Sequence, residues 1–304
     1  MTMRTLILIG GPTASGKSAL ALELARRRNG VVINADAMQV YRGLPLLTAQ
    51  PAPEEKVAIP HELYEVFDPA VASSVGKWKT LAEDAIQRCV AAGRTPVLVG
   101  GSGLYFKALL DGLAEIPAIP QAAREEAQAL YDKLGSEAFR ALLAQRDAAS
   151  AARIPPNDRQ RLIRAYEVVA HTGKPLGAWH RAAAPSASRN DEECFVAGKS
   201  FTVERHFLAP PRDQLYAACD RRFVAMMERG ALAEVDALLA RDLDPTLPAM
   251  KILGVRELAA YRRGALSRDE AVAKAQQATR NYAKRQMTWF NNQWGKDGVN
   301  GRGA

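Results

Sequence analysis

The chain has 304 residues, of which 48% are hydrophobic, 24% charged and 7% aromatic, with 22 glycines, 17 prolines and a formal charge of +8. This is the composition of a folded globular protein and excludes disordered, collagen-like and disulfide-scaffolded chains. Single cores stop growing at roughly 250–300 residues, so two compact units, or a core with an insertion, are expected.

Cys89, Cys194 and Cys219 lie far apart with no C-x-x-C pair. They support neither a disulfide framework nor a zinc ribbon and suit a reducing cytosol. The early apolar stretch Leu6 to Ile9 is far shorter than the roughly 20 residues that cross a bilayer, and no cleavage-site pattern follows it. A cytoplasmic protein without membrane attachment is expected. The charge is uneven: residues 251–304 hold 11 Lys/Arg against 4 Asp/Glu, while the preceding 250 carry 30 against 29. A basic C-terminal region favours a polyanionic partner through counterion release, although a solvated basic helix has the same composition.

In chain order, Thr5 to Ile9 is a β-branched apolar run ending in Gly10-Gly11, and Ala14 to Arg28 has helical spacing with Leu20, Leu22, Leu24 and Ala25 as its apolar members. Val31 to Asn34 predicts a second strand, Ser74 to Ala92 an amphipathic helix, and Pro96 to Val99 a strand closed by Gly100-Gly101. Such alternation implies a parallel sheet with helices on both faces. From about Ile116 the texture changes. Gln121 to Ala183 is almost entirely helix formers, which predicts a helical insertion over residues 116–198, with 185–198 polar and turn-rich. Phe201 to Leu208 predicts a returning strand. Helices follow from Arg212, the last over about Arg268 to Trp294, and Gly295 to Ala304 should fray. The expected fold class is α/β: with the G-x-x-x-x-G-K-[ST] segment Gly11 to Ser18 between its first strand and helix, a P-loop NTPase-like parallel sheet, formed by residues 1–115 and 199–304, with an all-helical insertion domain.

Gly11-Pro12-Thr13-Ala14-Ser15-Gly16-Lys17-Ser18 matches G-x-x-x-x-G-K-[ST] between a strand and a helix. Glycines let backbone N–H groups converge on phosphate oxygens, the helix N-terminus adds partial positive charge, Lys17 supplies a full one, and Ser18 can hold Mg²⁺. The loop predicts diphosphate or nucleotide binding, ATP included, without naming the rest of the ligand. Asp36 lies just beyond the second strand, at the sheet edge where α/β ligands bind. Three roles are open to it: a cap, a carboxylate of a magnesium shell, and a base acting on an acceptor nucleophile. Ser102, in Gly100-Gly101-Ser102-Gly103, ends the next strand at the same edge, where a plain turn has the same sequence. Asn157 or Asp158 caps a helix that carries Arg161 and Arg164 three apart. His61, His171, His180 and His206 have no close pairing that suggests metal coordination.

Taken together, GPTASGKS, DAMQVY, GGSGLYFKALL, PNDRQRLIRAYEV and TRNYAKRQMTWF resemble the bacterial tRNA dimethylallyltransferases in order and approximate spacing, over about residues 6 to 294. The resemblance implies transfer of a dimethylallyl group from dimethylallyl diphosphate to the exocyclic amine of the adenine 3′ of the anticodon, with Mg²⁺ as cofactor and release of diphosphate. It implies Asp36 as the base, with Ser102 and Lys17 also catalytic. It further implies tRNA contacts at Asp36, Ala37, Met38, Gln39, Ser102, Arg124, Gln160, Arg161, Leu162, Ile163 and Arg164. The insertion would grip the anticodon stem-loop of a target adenine swung out of its stack, and the chain would act as a monomer. The alternative is a small-molecule kinase using ATP, which shares the first loop but fits the helical insertion poorly. This chain departs from the family pattern at Ala37, where serine is usual, at Ser102, where threonine is commoner, and at Ala218, where an arginine of L-Y-x-R-x-x-x-R would fall. Arg221 is the expected substitute for that missing charge.

Overall fold

The computed structural model describes residues 4–182 and 193–295. The chain divides into two compact units, Met1–Leu110 with Arg189–Ala304, and Asp111–Ser188. The expected turn region over 185–192 and the expected fraying from 296 onward lie outside the described residues.

The first unit opens with β1 (Arg4–Gly10), α1 (Lys17–Arg27), β2 (Gly30–Asn34), α2 (Pro53–Ala58), β3 (His61–Glu62), α3 (Val75–Ala91), β4 (Thr95–Gly100) and α4 (Gly103–Asp111). The second unit contributes α5 (Gln121–Ala144), α6 (Ala148–Arg153), α7 (Arg159–Thr172) and α8 (Leu176–Ala182). The first unit then resumes with β5 (Glu193–Val196), β6 (Lys199–Phe207), α9 (Arg212–Glu228), α10 (Ala231–Leu239), α11 (Val255–Arg262) and α12 (Arg268–Gln293), with a 3₁₀ turn at Pro248–Lys251.

Six strands form one sheet in the order β3-β2-β4-β1-β6-β5, parallel except where β5 pairs antiparallel with β6. The central strands are apolar runs because both sheet faces are covered. Leu6, Leu8, Ile33 and Leu98 pack toward Trp78, Ala82 and Ile86 of α3, while Ile7, Ile9, Val32, Val97 and Val99 pack toward Ala21 and Ala25 of α1. The second unit has its own core around Phe139, Leu143, Leu162, Ala165 and Val168.

Several boundaries differ from the sequence reading. The first helix begins at Lys17, not Ala14, because residues 11–16 stay out of the helix as a phosphate-type loop. Its buried face is Ala21 and Ala25, with Leu20, Leu22 and Leu24 only partly covered. Ser74 is the cap of α3, its hydroxyl accepting the Lys77 N–H. β3 has only two residues, too short to leave a periodicity. Glu193–Val196, which the expected boundary at 198 assigns to the insertion, instead belongs to the sheet of the first unit. As an edge strand it is buried on one side only and leaves Phe195 exposed, so it lacks the apolar run of the central strands.

Candidate active site

The carboxyl ends of β1, β2 and β4 bring three loops of the first unit to one edge of the sheet. The first is the loop 11–16. Gly16 adopts φ +90° and caps α1 with no side-chain partner, and the first turn of α1 has no acidic residue. The helix therefore presents its N-terminal partial positive charge uncompensated. A Cβ on Gly11, at φ +149°, would sit 2.6 Å from the Leu208 carbonyl oxygen. The glycine is what lets Leu208, the residue after β6, pack against the loop.

Lys17 donates its ammonium to the Pro12 carbonyl at 2.5 Å. Burial lowers its pKa to about 8, against the opposing pull of Asp36, and Arg222 lowers it further. Thr13 is the most connected residue of the loop. Its N–H donates to Gln286 Oε1 at 2.8 Å, its hydroxyl accepts from Arg222, and its carbonyl accepts from Cys219 Sγ at 4.0 Å. Ser15 Oγ is buried without a partner in the same loop, and Ser18 is exposed on the first turn of α1.

The second loop carries Asp36. Asn34, fully buried at the end of β2, is held by Trp78, whose indole N–H donates to the Asn34 carbonyl at 2.8 Å. Asn34 Oδ1 accepts the Asp36 N–H at 2.8 Å, and its amide donates to the carbonyls of Asp36 and Leu63 at 3.1 Å each. Asp36 Oδ1 in turn accepts the Met38 N–H at 2.9 Å. One carboxylate oxygen thus caps its own turn. The other, Oδ2, lies 3.2 Å from where a Cβ of Gly101 would stand, facing the third loop.

In that third loop Ser102 Oγ accepts the Ala37 N–H at 2.9 Å, and the Ser102 N–H donates to the Ala35 carbonyl at 3.2 Å. Tyr282 of α12 lies near Ser102. Burial and then the nearby Asp36 charge push the Tyr282 phenol pKa well above its ordinary value.

The first two of these loops and helices α9 and α12 line a small pocket. Thr13, Asp36, Arg222 and Tyr282 supply polar walls, and Met38, Leu47, Phe223, Met226 and Leu253 an apolar one. An apolar wall beside a cationic loop suits a ligand that is part hydrocarbon and part oxyanion. Burial lowers the pKa of the Arg222 guanidinium, and the nearby Asp36 charge opposes that shift.

The structure therefore brings together the loop Gly11 to Lys17 with Asp36, Ala37, Met38 and Ser102. Gln39 is adjacent, but its amide nitrogen is committed to the carbonyls of Thr48 and Ala49 at 2.9 and 2.8 Å. Arg124, Gln160 and Arg161 are exposed in the second unit, where Asp158 caps α7 by accepting the Arg161 N–H at 3.2 Å. Arg164 is half-buried and pairs with Glu167 at 2.5 Å. Leu162 and Ile163, expected as tRNA contacts, are instead core residues 0% and 7% exposed, because they fall on the face of α7 that packs inward. Arg221, the expected substitute for an arginine at 218, is exposed, and its neighbour Arg222 reaches the loop. The sequence reading gave no role to Arg222, Tyr282 or Gln286. For Tyr282 and Gln286 the available signal is their place in TRNYAKRQMTWF, and for Gln286 also its core spacing among the small residues Ala271, Ala275, Thr279 and Ala283.

Comparison with known proteins adds to this geometry. The family model described as IPP transferase matches residues 39–293, and the one described as isopentenyl transferase matches residues 4–64. The tRNA dimethylallyltransferase of Rhodospirillum centenum is 53% identical over 95% of this chain and 89% of its own length. That of Phenylobacterium zucineum is 52% identical over 94% and 89%. Among solved structures, a tRNA isopentenylpyrophosphate transferase from Bacillus halodurans matches with a TM-score of 0.67 at 32% identity, covering 98% of this chain and 89% of that one. A eukaryotic dimethylallyltransferase acting on tRNA matches with a TM-score of 0.76 at 26% identity, covering 94% and 70%.

Proposed function

This chain belongs to the IPP transferase family, the tRNA dimethylallyltransferases, and we propose that it transfers a dimethylallyl group from dimethylallyl diphosphate to the exocyclic N6 amine of the tRNA adenine immediately 3′ of the anticodon. The observation that carries this reading is the shared pocket: Thr13 of the first loop and Arg222 of α9 line it together with Asp36 and the apolar side chains of Met38, Leu47, Phe223, Met226 and Leu253.

The amine nitrogen attacks the allylic carbon bonded to the diphosphate. A carbon–nitrogen bond forms, the carbon–oxygen bond breaks, and the electron pair leaves with the diphosphate. Lys17, Arg222 and the N-terminus of α1 stabilise that departing charge. An adenine amine is a poor nucleophile because its lone pair is delocalised into the ring. Asp36, oriented by Asn34 and Met38, accepts the amine proton through the oxygen that is not capping. Ser102 holds the backbone of the turn that carries this carboxylate.

Magnesium fits this site. Among the described residues no three His, Cys, Asp or Glu could hold a resident ion. Magnesium, however, is commonly bound through substrate phosphates and water with few protein ligands, and Ser18, exposed beside the buried unpartnered Ser15 Oγ, is a suitable hydroxyl. When bound it would neutralise charge on the diphosphate.

For the RNA, the proposal assigns contacts to Ala37, Met38, Gln39 and Ser102 in the first unit and to Arg124, Gln160, Arg161 and Arg164 in the second. Leu162 and Ile163 only support α7. None of the helices among the described residues is long and apolar enough to cross a membrane, and we read the chain as a cytoplasmic monomer. The ATP-dependent kinase reading gives way to family membership.

The direct test is incubation of the purified protein with Mg²⁺, labelled dimethylallyl diphosphate and unmodified tRNA, followed by nuclease digestion. Label is expected on the adenosine next to the anticodon. Label elsewhere, or none, overturns the proposal.

A further inference from the structure

We propose that Gln286 is a positioning residue that sets the distance between the diphosphate-binding loop and the wall carrying Ser102 and Asp36. The inference rests on the dimethylallyl-transfer reading. Gln286 projects from α12 and is 5% exposed. Both ends of its amide are used: Oε1 accepts the Thr13 N–H at 2.8 Å, and Nε2 donates to the Gly101 carbonyl at 2.9 Å. One buried planar group therefore spans two loops that belong to different strands.

The consequences run outward from both ends. On one side, Thr13 is the residue whose hydroxyl receives Arg222 and which follows Pro12, the acceptor of Lys17. On the other, Gly101 precedes Ser102, whose hydroxyl fixes the Ala37 N–H next to Asp36. A Cβ on residue 101 would stand 2.1 Å from Gln286 Nε2, so a glycine is required there for the amide to enter. In the proposed reaction the first side holds the leaving group and the second holds the base. Their separation decides whether nucleophile and electrophile meet in line, and a displacement of about 1 Å costs on the order of 100-fold in rate. A side chain that only filled space would not need both of its hydrogen-bonding groups aimed at these two peptides.

The test uses the full chain with dimethylallyl diphosphate and tRNA under single-turnover conditions, comparing the unsubstituted protein with Gln286→Met and Gln286→Glu. Methionine keeps the volume and removes both hydrogen bonds. The transfer rate constant is expected to fall about 30-fold, while donor affinity changes less than about threefold, because the loop itself is intact. The glutamate variant supplies a second reading, in case methionine impairs folding. Protonated, its carboxyl group reproduces the amide, with a carbonyl for the Thr13 N–H and an O–H for the Gly101 carbonyl; ionised, it has no donor. Burial raises a carboxyl pKa, so its rate relative to the unsubstituted protein should climb toward parity between about pH 8 and about pH 6. A pH-independent ratio overturns the inference, as does a methionine variant that shows reduced amplitude with an unchanged rate constant, the pattern of a merely structural role. Absence of transfer by the unsubstituted protein removes the reaction itself and the inference with it.

Discussion

Ser102 Oγ accepts the backbone N–H of Ala37 at 2.9 Å, tying the end of β4 to the turn that presents Asp36. The hydroxyl serves a peptide group, so it does not depend on which side chain stands at 37. Ser102→Ala should lower the transfer rate about fivefold by releasing that turn, the equivalent of one hydrogen bond of about 1 kcal/mol. Ser102→Thr should retain activity. Ala37→Ser, which restores the commoner family residue, should change the rate less than about threefold. Steady-state turnover of the three variants decides among these outcomes.

Asp36 uses one oxygen as a cap and keeps the other toward Gly101, so its two roles are separable. Asn at this position can still accept the Met38 N–H but cannot take a proton. Asp36→Asn should therefore lose about 100- to 10,000-fold in turnover with tRNA affinity and melting temperature preserved. Loss of tRNA binding in a filter assay of equal size would assign Asp36 to the fold.

Lys17 carries a pH signature. Its ammonium titrates near 8 rather than 10.5 because burial disfavours the charge. Diphosphate needs the protonated form, so affinity for inorganic diphosphate should be level below about pH 8 and decline above it, by up to about tenfold per unit. Lys17→Ala should remove the break and weaken binding throughout; calorimetric titration at several pH values reads this out. The same shift sets the sign for stability. The folded state disfavours protonation of this lysine, so the resulting penalty is complete below the folded value near 8 and disappears as pH rises toward the unfolded 10.5. Lys17→Met should raise the melting temperature at pH 7, and by less at pH 9.5.

Arg222 donates to the Thr13 hydroxyl, and Ala218 lies one helical turn before it on α9. Arg222→Ala should raise the Michaelis constant for dimethylallyl diphosphate about 10- to 100-fold, the size of a lost charge-assisted hydrogen bond. Ala218→Arg should lower that constant by adding a second guanidinium on the same face. An unchanged constant in the second variant would mean that Arg222 already meets the requirement.

Much of this architecture was legible in the sequence, for identifiable reasons. The apolar runs of β1, β2 and β4 stand out because strands covered on both faces need no polar alternation, and the glycine-lysine spacing of the first loop reflects backbone geometry that few other residues permit. β3 and β5 were not legible, one being two residues long and the other a half-covered edge. The sequence marks the site one strand end at a time, so Asp36 and Ser102 are legible but their link through the Ala37 peptide is not. Arg222 and Gln286 act across sequence separations of 209 and 273 residues, so although Gln286 stands inside TRNYAKRQMTWF, its partner in the first loop is not encoded locally. Leu162 and Ile163 are buried because a motif names a segment, whereas a helix turns half of that segment inward.

The Thr13 to Gln286 bond also orders events in time. Polypeptides emerge from the ribosome amino end first, so the nascent loop 11–16 appears long before the helix that supplies its partner. Until α12 docks, with Phe290 and Trp294 seated on Gly10 and Trp289 on Gly103, the cradle is unbraced. The bridge through Gln286 therefore cannot close before synthesis has passed residue 290, and a shorter nascent chain lacks the brace between its first loop and Gly101.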